Sequence, residues 1–178
     1  ERAVLTAPML AIKSPDFPLW VAKSAAALWT AAGAHGSFIF GGAKQNPLAE
    51  AFEGNTVTND KARFERAMAC LKAEPKLAIG QPTFGWVEAA FRSMELVASE
   101  EFAQGIETPV LLIGAAHDKL VHPGADLVLI TRIKRGMYVL LKCEHEIMME
   151  RDDISDEAKQ GEKRSGFTNK VRTYEMDI

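Results

Sequence analysis

Two short apolar runs constrain this chain more than any other feature. The first is Thr108-Pro109-Val110-Leu111-Leu112-Ile113-Gly114, and the second is Met137-Tyr138-Val139-Leu140-Leu141. Each is too short for a buried helix, and neither alternates apolar with polar residues. Continuous apolar runs of this length are strands covered on both faces, as in a parallel sheet. The segment from Ala125 to Ile133 between them has the length and pattern of a helix. Strand, helix, strand with a right-handed crossover is the α/β class. Ala3–Leu10, apolar and punctuated by Pro8, reads as a further buried strand with its following loop.

The block between these pieces has a different character. A helix is expected from Trp20 to Ala32, with Trp20, Ala25, Leu28 and Trp29 at helical spacings and Gly33 as a stop. The Ser14-Pro15-Asp16 turn precedes it, and residues 33–58 read as irregular loop. Asn59 and Asp60 are placed to cap a helix from Lys61 to about Ala73, with Phe64, Ala67, Met68 and Leu71 on one face. After an irregular stretch at 78–85, Val87, Ala90, Phe91, Met94 and Val97 form the apolar stripe of a helix from Trp86 to about Ser99. No convincing strand lies in this block, so it reads as a helical insertion in an α/β fold. From Arg151 onward the last 28 residues carry 13 charges. That composition predicts a poorly packed tail.

Charge and cysteine content narrow the partners. With 21 basic and 24 acidic residues the net charge is −3, so the basic footprint of a nucleic-acid binder is absent. No apolar run reaches the ~18–20 residues that cross a bilayer. Cys70 and Cys143 stand far apart and form neither a disulfide framework nor a metal-spaced pair. A reducing, cytoplasmic setting is the default reading. The chain opens at Glu1 and runs straight into a strand-like segment, which creates the expectation that further sequence precedes it.

The groups that could do chemistry sit just after the two apolar runs. Gly114-Ala115-Ala116-His117-Asp118 follows the first and Cys143-Glu144-His145-Glu146 the second. Functional groups in open parallel sheets collect at the carboxyl ends of strands. An Asp and a His placed there, 27 residues apart, suit an acid–base pair in which the carboxylate fixes the imidazole tautomer. The plainer alternative is that Asp118 caps the next turn and His145 is structural. His117 and His122 flank Asp118 but lack a second ligand cluster, so no metal is expected. Glu144 and Glu146 read as solvated or capping charges.

A resemblance joins these observations. Asp60–Ser93, containing G-Q-P-T-F-G-W, together with T-P-V-L-L-I-G-A-A-H-D-K-L-V-H-P and C-E-H-E-I-M-M-E-R-D, resembles the bacterial lysophospholipase L2 branch of the monoacylglycerol-lipase-like and serine-aminopeptidase-like α/β-hydrolases. R-A-V-L-T-A-P-M-L resembles the strand after that family's nucleophile elbow and its helix. The resemblance covers about residues 1–153. It implies core strand and loop at 1–10, a helical cap or lid at 11–105, the end of the α/β core at 106–153 and a non-family tail at 154–178. It further implies that Asp118 is the triad acid and His145 the triad histidine. Trp20, Trp29, Phe84 and Trp86 would line an acyl-chain entrance, and the cap would make peripheral contact with membrane lipid. The implied substrate is a lysophospholipid or monoacylglycerol, and no cofactor is implied.

One part of that machinery is not in the sequence. None of Ser14, Ser24, Ser37, Ser93, Ser99, Ser155 and Ser165 has glycine at both −2 and +2, as G-x-S-x-G requires. The expectation is a C-terminal portion of a serine carboxylic-ester hydrolase whose serine lies upstream and which is inactive alone. The alternatives are a non-catalytic remnant of the fold, or another esterase or peptidase activity on it.

Overall fold

A computed structural model of the chain describes residues 1–13, 18–39 and 47–164. The chain divides into two compact units, one of Glu1–Lys13, Thr56–Arg63 and Leu96–Ile178, the other of Ser14–Asn55 and Phe64–Glu95.

The first unit is built on a parallel sheet of β1 (Ala3–Thr6), β2 (Val110–Ala115) and β3 (Gly136–Leu141), in the order β1-β2-β3. β2 lies in the middle, and all six of its residues are buried. Its register runs from Val110 opposite Gly136 to Ala115 opposite Leu141 on one side, and from Val110 opposite Ala3 to Ile113 opposite Thr6 on the other. Strand side chains alternate between faces. Leu111, Ile113 and Ala115 therefore join Val139, Leu141, Cys143, Ile147, Ile154 and Ala158 on one face. Val110 and Leu112 join Ala103, Leu129, Ile130, Ile133 and Tyr138 on the other. Each large side chain so buried contributes roughly 1.5–3 kcal/mol.

Helix α5 (Pro123–Arg132) connects β2 to β3 and covers the second face. It starts two residues earlier than its apolar pattern indicates. Pro123 has no N–H to leave unsatisfied, and His122 Nδ1 accepts the Gly124 N–H at 3.2 Å. A short helix α4 (Glu100–Gln104), absent from the sequence reading, is capped by Ser99, whose Oγ accepts the Phe102 N–H. Five residues are too few to show a helical period.

Two expectations need correction. β1 is not buried: it ends at Thr6, where Ala7 turns the chain at φ 40° into the loop, and Val4 and Leu5 are exposed. Among the described residues β1 pairs only with β2. The tail from Arg151 is also not featureless. Helix α6 (Asp152–Arg164) buries Ile154, Ser155 and Ala158, which close one face of the sheet. Two small residues and one isoleucine at helical spacing are enough to seat it, although its composition is dominated by charge. Residues 165–178 lie outside the described residues.

The second unit contains α1 (Leu19–Ala31) and most of α2 (Lys61–Ala73) and α3 (Phe84–Ala98). Helix α1 buries only Ala26, as its weak amphipathic pattern implies. Helix α2 buries Phe64 and Met68. Asp60 caps it, with Oδ1 accepting the Arg63 N–H at 3.0 Å. Helix α3 begins at Phe84, two residues before its expected start, because Thr83 Oγ1 accepts the Trp86 N–H at 3.2 Å. An isolated antiparallel bridge joins Phe38 to Thr83. The turn at Ser14-Pro15-Asp16 and part of the 33–58 loop, residues 40–46, lie outside the described residues. No helix among the described residues is long and apolar enough to cross a membrane.

Gly136 marks where α5 and β3 meet most closely. A Cβ there would sit 2.6 Å from the Ile130 carbonyl oxygen. Gly136→Ala is expected to lower stability by about 1–3 kcal/mol. Gly36→Ala, which meets nothing within 4 Å, is expected to stay within about 0.5 kcal/mol. Urea unfolding of both variants checks this, and equal midpoints would refute the close approach.

Candidate active site

The ladder between β2 and β3 does not stop where the strands end. The Ala116 N–H donates to the Leu141 carbonyl at 2.8 Å, and the His117 N–H to the Cys143 carbonyl at 3.0 Å. The loop after β2 is thereby laid against the loop after β3. Asp118 and His145, 27 residues apart, are brought together: His145 Nδ1 lies 2.6 Å from Asp118 Oδ2.

Asp118 divides its two oxygens between two tasks. Oδ1 accepts the N–H groups of Leu120 and Val121 at 2.8 and 2.9 Å. Oδ2 faces the imidazole. The turn cap and the histidine partner, alternatives in the sequence, are thus the same residue. The Asp118 side chain is only 1% exposed, while that of His145 is 20% exposed. A carboxylate on Nδ1 favours the Nδ1–H tautomer and leaves Nε2 with its lone pair. The Lys13 ammonium donates to the Asp118 carbonyl, and the Lys13 N–H donates to the Leu120 carbonyl at 2.8 Å.

The loop carrying His145 is held from its other side. The Glu146 N–H donates to the Val57 carbonyl and the Thr58 hydroxyl to the Met149 carbonyl, both at 2.7 Å. Glu150, fully buried, accepts the N–H groups of Glu144 and Asn59 on Oε1, each at 3.1 Å. Sequence reasoning missed Glu150. A side chain that binds only main-chain N–H groups leaves no spacing pattern, and the one available signal was a carboxylate following the apolar Ile147-Met148-Met149. The reading of Glu144 as solvated is corrected: it is buried and faces the Lys119 ammonium at 3.4 Å. Glu146 is exposed, as expected.

The remaining candidates fall elsewhere. His122 caps α5, and among the described residues no group of three or more His, Cys, Asp and Glu could hold a metal. In the second unit the Trp29 and Phe84 rings pack 5.6 Å apart, with Phe84 buried. Trp20 and Trp86 stand exposed, at 70% and 53%.

Burial also sets the ionisation of groups around the pair. The Cys143 thiol is pushed up to about 12, by burial first and then by the charges of Glu150, Asp118, Glu144 and Glu157. It is no nucleophile at neutral pH. The Asp126 carboxyl, buried with no hydrogen-bond partner among the described residues, is pushed up to about 7. Burial is the main cause and the charge of Asp118 the second. Tyr138, whose hydroxyl donates to the Pro123 carbonyl at 3.3 Å, is raised as well, by burial and by Asp126.

A parallel sheet with helical flanks, an acid after one strand and a histidine after the next, is the architecture of an α/β-hydrolase. The chain belongs to the family described as Serine aminopeptidase, S33 (Hydrolase_4), whose model matches residues 1–152. Solved structures that share the fold include two lipases. One is a soluble variant of monoglyceride lipase from Saccharomyces cerevisiae in complex with a substrate analog, with TM-score 0.65 and 15% identity over 95% of this chain and 54% of that one. The other is monoacylglycerol lipase from Paleococcus ferrophilus, with TM-score 0.58 and 19% identity over 88% of this chain and 55% of that one. The chain therefore spans about half the length of the structures it matches. No curated protein sequence matches it significantly.

Asp126 yields a stability prediction. Its carboxyl titrates near 3.8 when unfolded and at about 7 when folded. A raised acid means that the folded state binds the proton more tightly. Stability is then full below 3.8 and falls as pH rises toward 7. Asp126→Asn removes that loss, so its advantage over the wild type should grow across this window to on the order of 4 kcal/mol. Chemical unfolding at several pH values measures it, and parallel pH profiles for the two proteins would contradict it.

Proposed function

We propose that this chain supplies the acid and the base of a Ser-His-Asp carboxylic-ester hydrolase acting on a lysophospholipid or monoacylglycerol. The observation that carries the reading is the 2.6 Å contact between His145 Nδ1 and the buried Asp118 Oδ2, at the carboxyl ends of adjacent parallel strands. In this reading a serine upstream of Glu1 attacks the ester carbonyl. His145 Nε2 takes the hydroxyl proton and then delivers it to the departing alkoxide, leaving an acyl-enzyme. A water molecule, deprotonated by the same nitrogen, attacks the acyl carbonyl, and the serine oxygen leaves, taking the proton back from the imidazolium as the fatty acid is released. Asp118 keeps Nδ1 protonated, and its charge stabilises the imidazolium formed in each half-reaction. No step calls for a cofactor.

The helical block at 11–105 serves as the cap of this enzyme. Trp20, Trp29 and Trp86, all exposed, offer it the apolar surface that an acyl chain requires, and the buried Phe84 packs against Trp29. The similarity to two lipases supports this substrate class. The chain as it stands has no serine in a G-x-S-x-G setting. Within this chain His145 then has no such hydroxyl from which to take a proton.

In the intact enzyme, His145→Ala and Asp118→Asn should each lower kcat about 10⁴-fold while the fold persists. Fatty-acid release from a monoacylglycerol and from a lysophospholipid measures both the roles and the substrate preference. Near-normal turnover in either variant removes that residue from the mechanism. The 178-residue chain alone should not react with a fluorophosphonate probe. Labelling at one of its own serines would overturn the upstream nucleophile.

A further inference from the structure

Glu150 is a charge sealed inside the protein, 2% exposed. Such a group is tolerated only where hydrogen bonds replace its lost hydration. Its Oε1 receives two N–H groups far apart in sequence, those of Asn59 and Glu144, each at 3.1 Å. Neither amide lies inside a helix or strand. Asn59 leads into α2, and Glu144 is the residue before His145. The same two stretches are also joined by Glu146 to Val57, Thr58 to Met149 and Arg63 to the Met148 carbonyl. Glu150 is the buried charged member of this seam. Its Oε1 holds the N–H of Glu144, the residue before His145.

We propose that Glu150 is a positioning residue for His145. Its carboxylate fixes the Cys143–Glu144 peptide, one residue ahead of the histidine, against residues 57–59, so that the imidazole presents Nδ1 to Asp118. Hydrogen bonds from N–H groups to an ionised acceptor are about twice as strong as neutral ones. A pair made at 2.6 Å leaves little room for loop drift, and displacements near 1 Å at a reacting group are costly. The inference rests on Asp118–His145 being the acid–base pair.

The test reads the histidine rather than the fold. Nitrogen-15 NMR of the intact enzyme above neutral pH reports which nitrogen of the His145 imidazole carries the proton. The wild type should hold the Nδ1–H tautomer. Glu150→Ala should lower its population by about twofold, toward the Nε2–H form of a free imidazole. Glu150→Gln, which keeps an acceptor at the same place, should restore most of it. Ile154→Ala, which removes core packing from α6 without touching the seam, should weaken the fold and leave the tautomer unchanged. An unchanged tautomer in Glu150→Ala, with Asp118→Asn losing it, would overturn the role of Glu150 alone. An unchanged tautomer in Asp118→Asn would overturn the acid–base pair and this proposal with it. Should Glu150→Ala fail to fold, amide exchange in the wild type decides. Equal protection of Glu144 and Asn59 is expected, and rapid exchange at either would count against the shared carboxylate.

Discussion

The parallel register of β2 against β3 is the constraint on which the candidate site depends. Val110 faces Gly136 and Ala115 faces Leu141, and the same progression carries on through Ala116 and His117 beyond the strands. A one-residue slip would turn every side chain of β2 to the other face. It would bury no less surface in a strand apolar on both sides, yet it would move Asp118 away from His145. Register is held instead by fit. Gly136 admits the Ile130 carbonyl, and Gly114 admits the Tyr138 hydroxyl and the Asp126 carboxyl, where a Cβ would meet those oxygens at 2.4 and 3.1 Å. The glycines set the strand alignment, and the alignment sets the pair.

Three carboxylates in this unit show how burial is resolved differently at each position. Asp118 is satisfied on both oxygens, by two amides and an imidazole. Glu150 is satisfied by two amides from distant stretches. Asp126 has no such partner among the described residues, and its proton is retained to about 7 instead. The first two hold loops in place, whereas the third imposes a cost that rises with pH.

Much of this was legible in the sequence, for identifiable reasons. β2 and β3 announced themselves because a strand buried on both faces must be apolar at every position. Asp118 and His145 stood out because each follows such a strand at once. What escaped the sequence depended on neighbours that pattern cannot show. Val4 and Leu5 look like core residues, but their exposure is decided by what pairs with β1. Helix α6 has too few large apolar residues to register, yet Ile154, Ser155 and Ala158 suffice where a sheet face is waiting. Glu150 and Asp126 carry no sequence pattern that marks them as buried; the backbone that closes around them decides it.

The two cysteines differ in a way that gives the molecule a built-in gauge. Cys70 lies exposed on α2, whereas Cys143 lies two residues before the histidine, buried and with its thiol held protonated. A thiol-directed dye therefore finds one target in the folded chain and a second only when the segment after β3 peels away from the sheet. The delay between the first and second modification times the opening of the very loop that presents the imidazole, without any probe having to be engineered in.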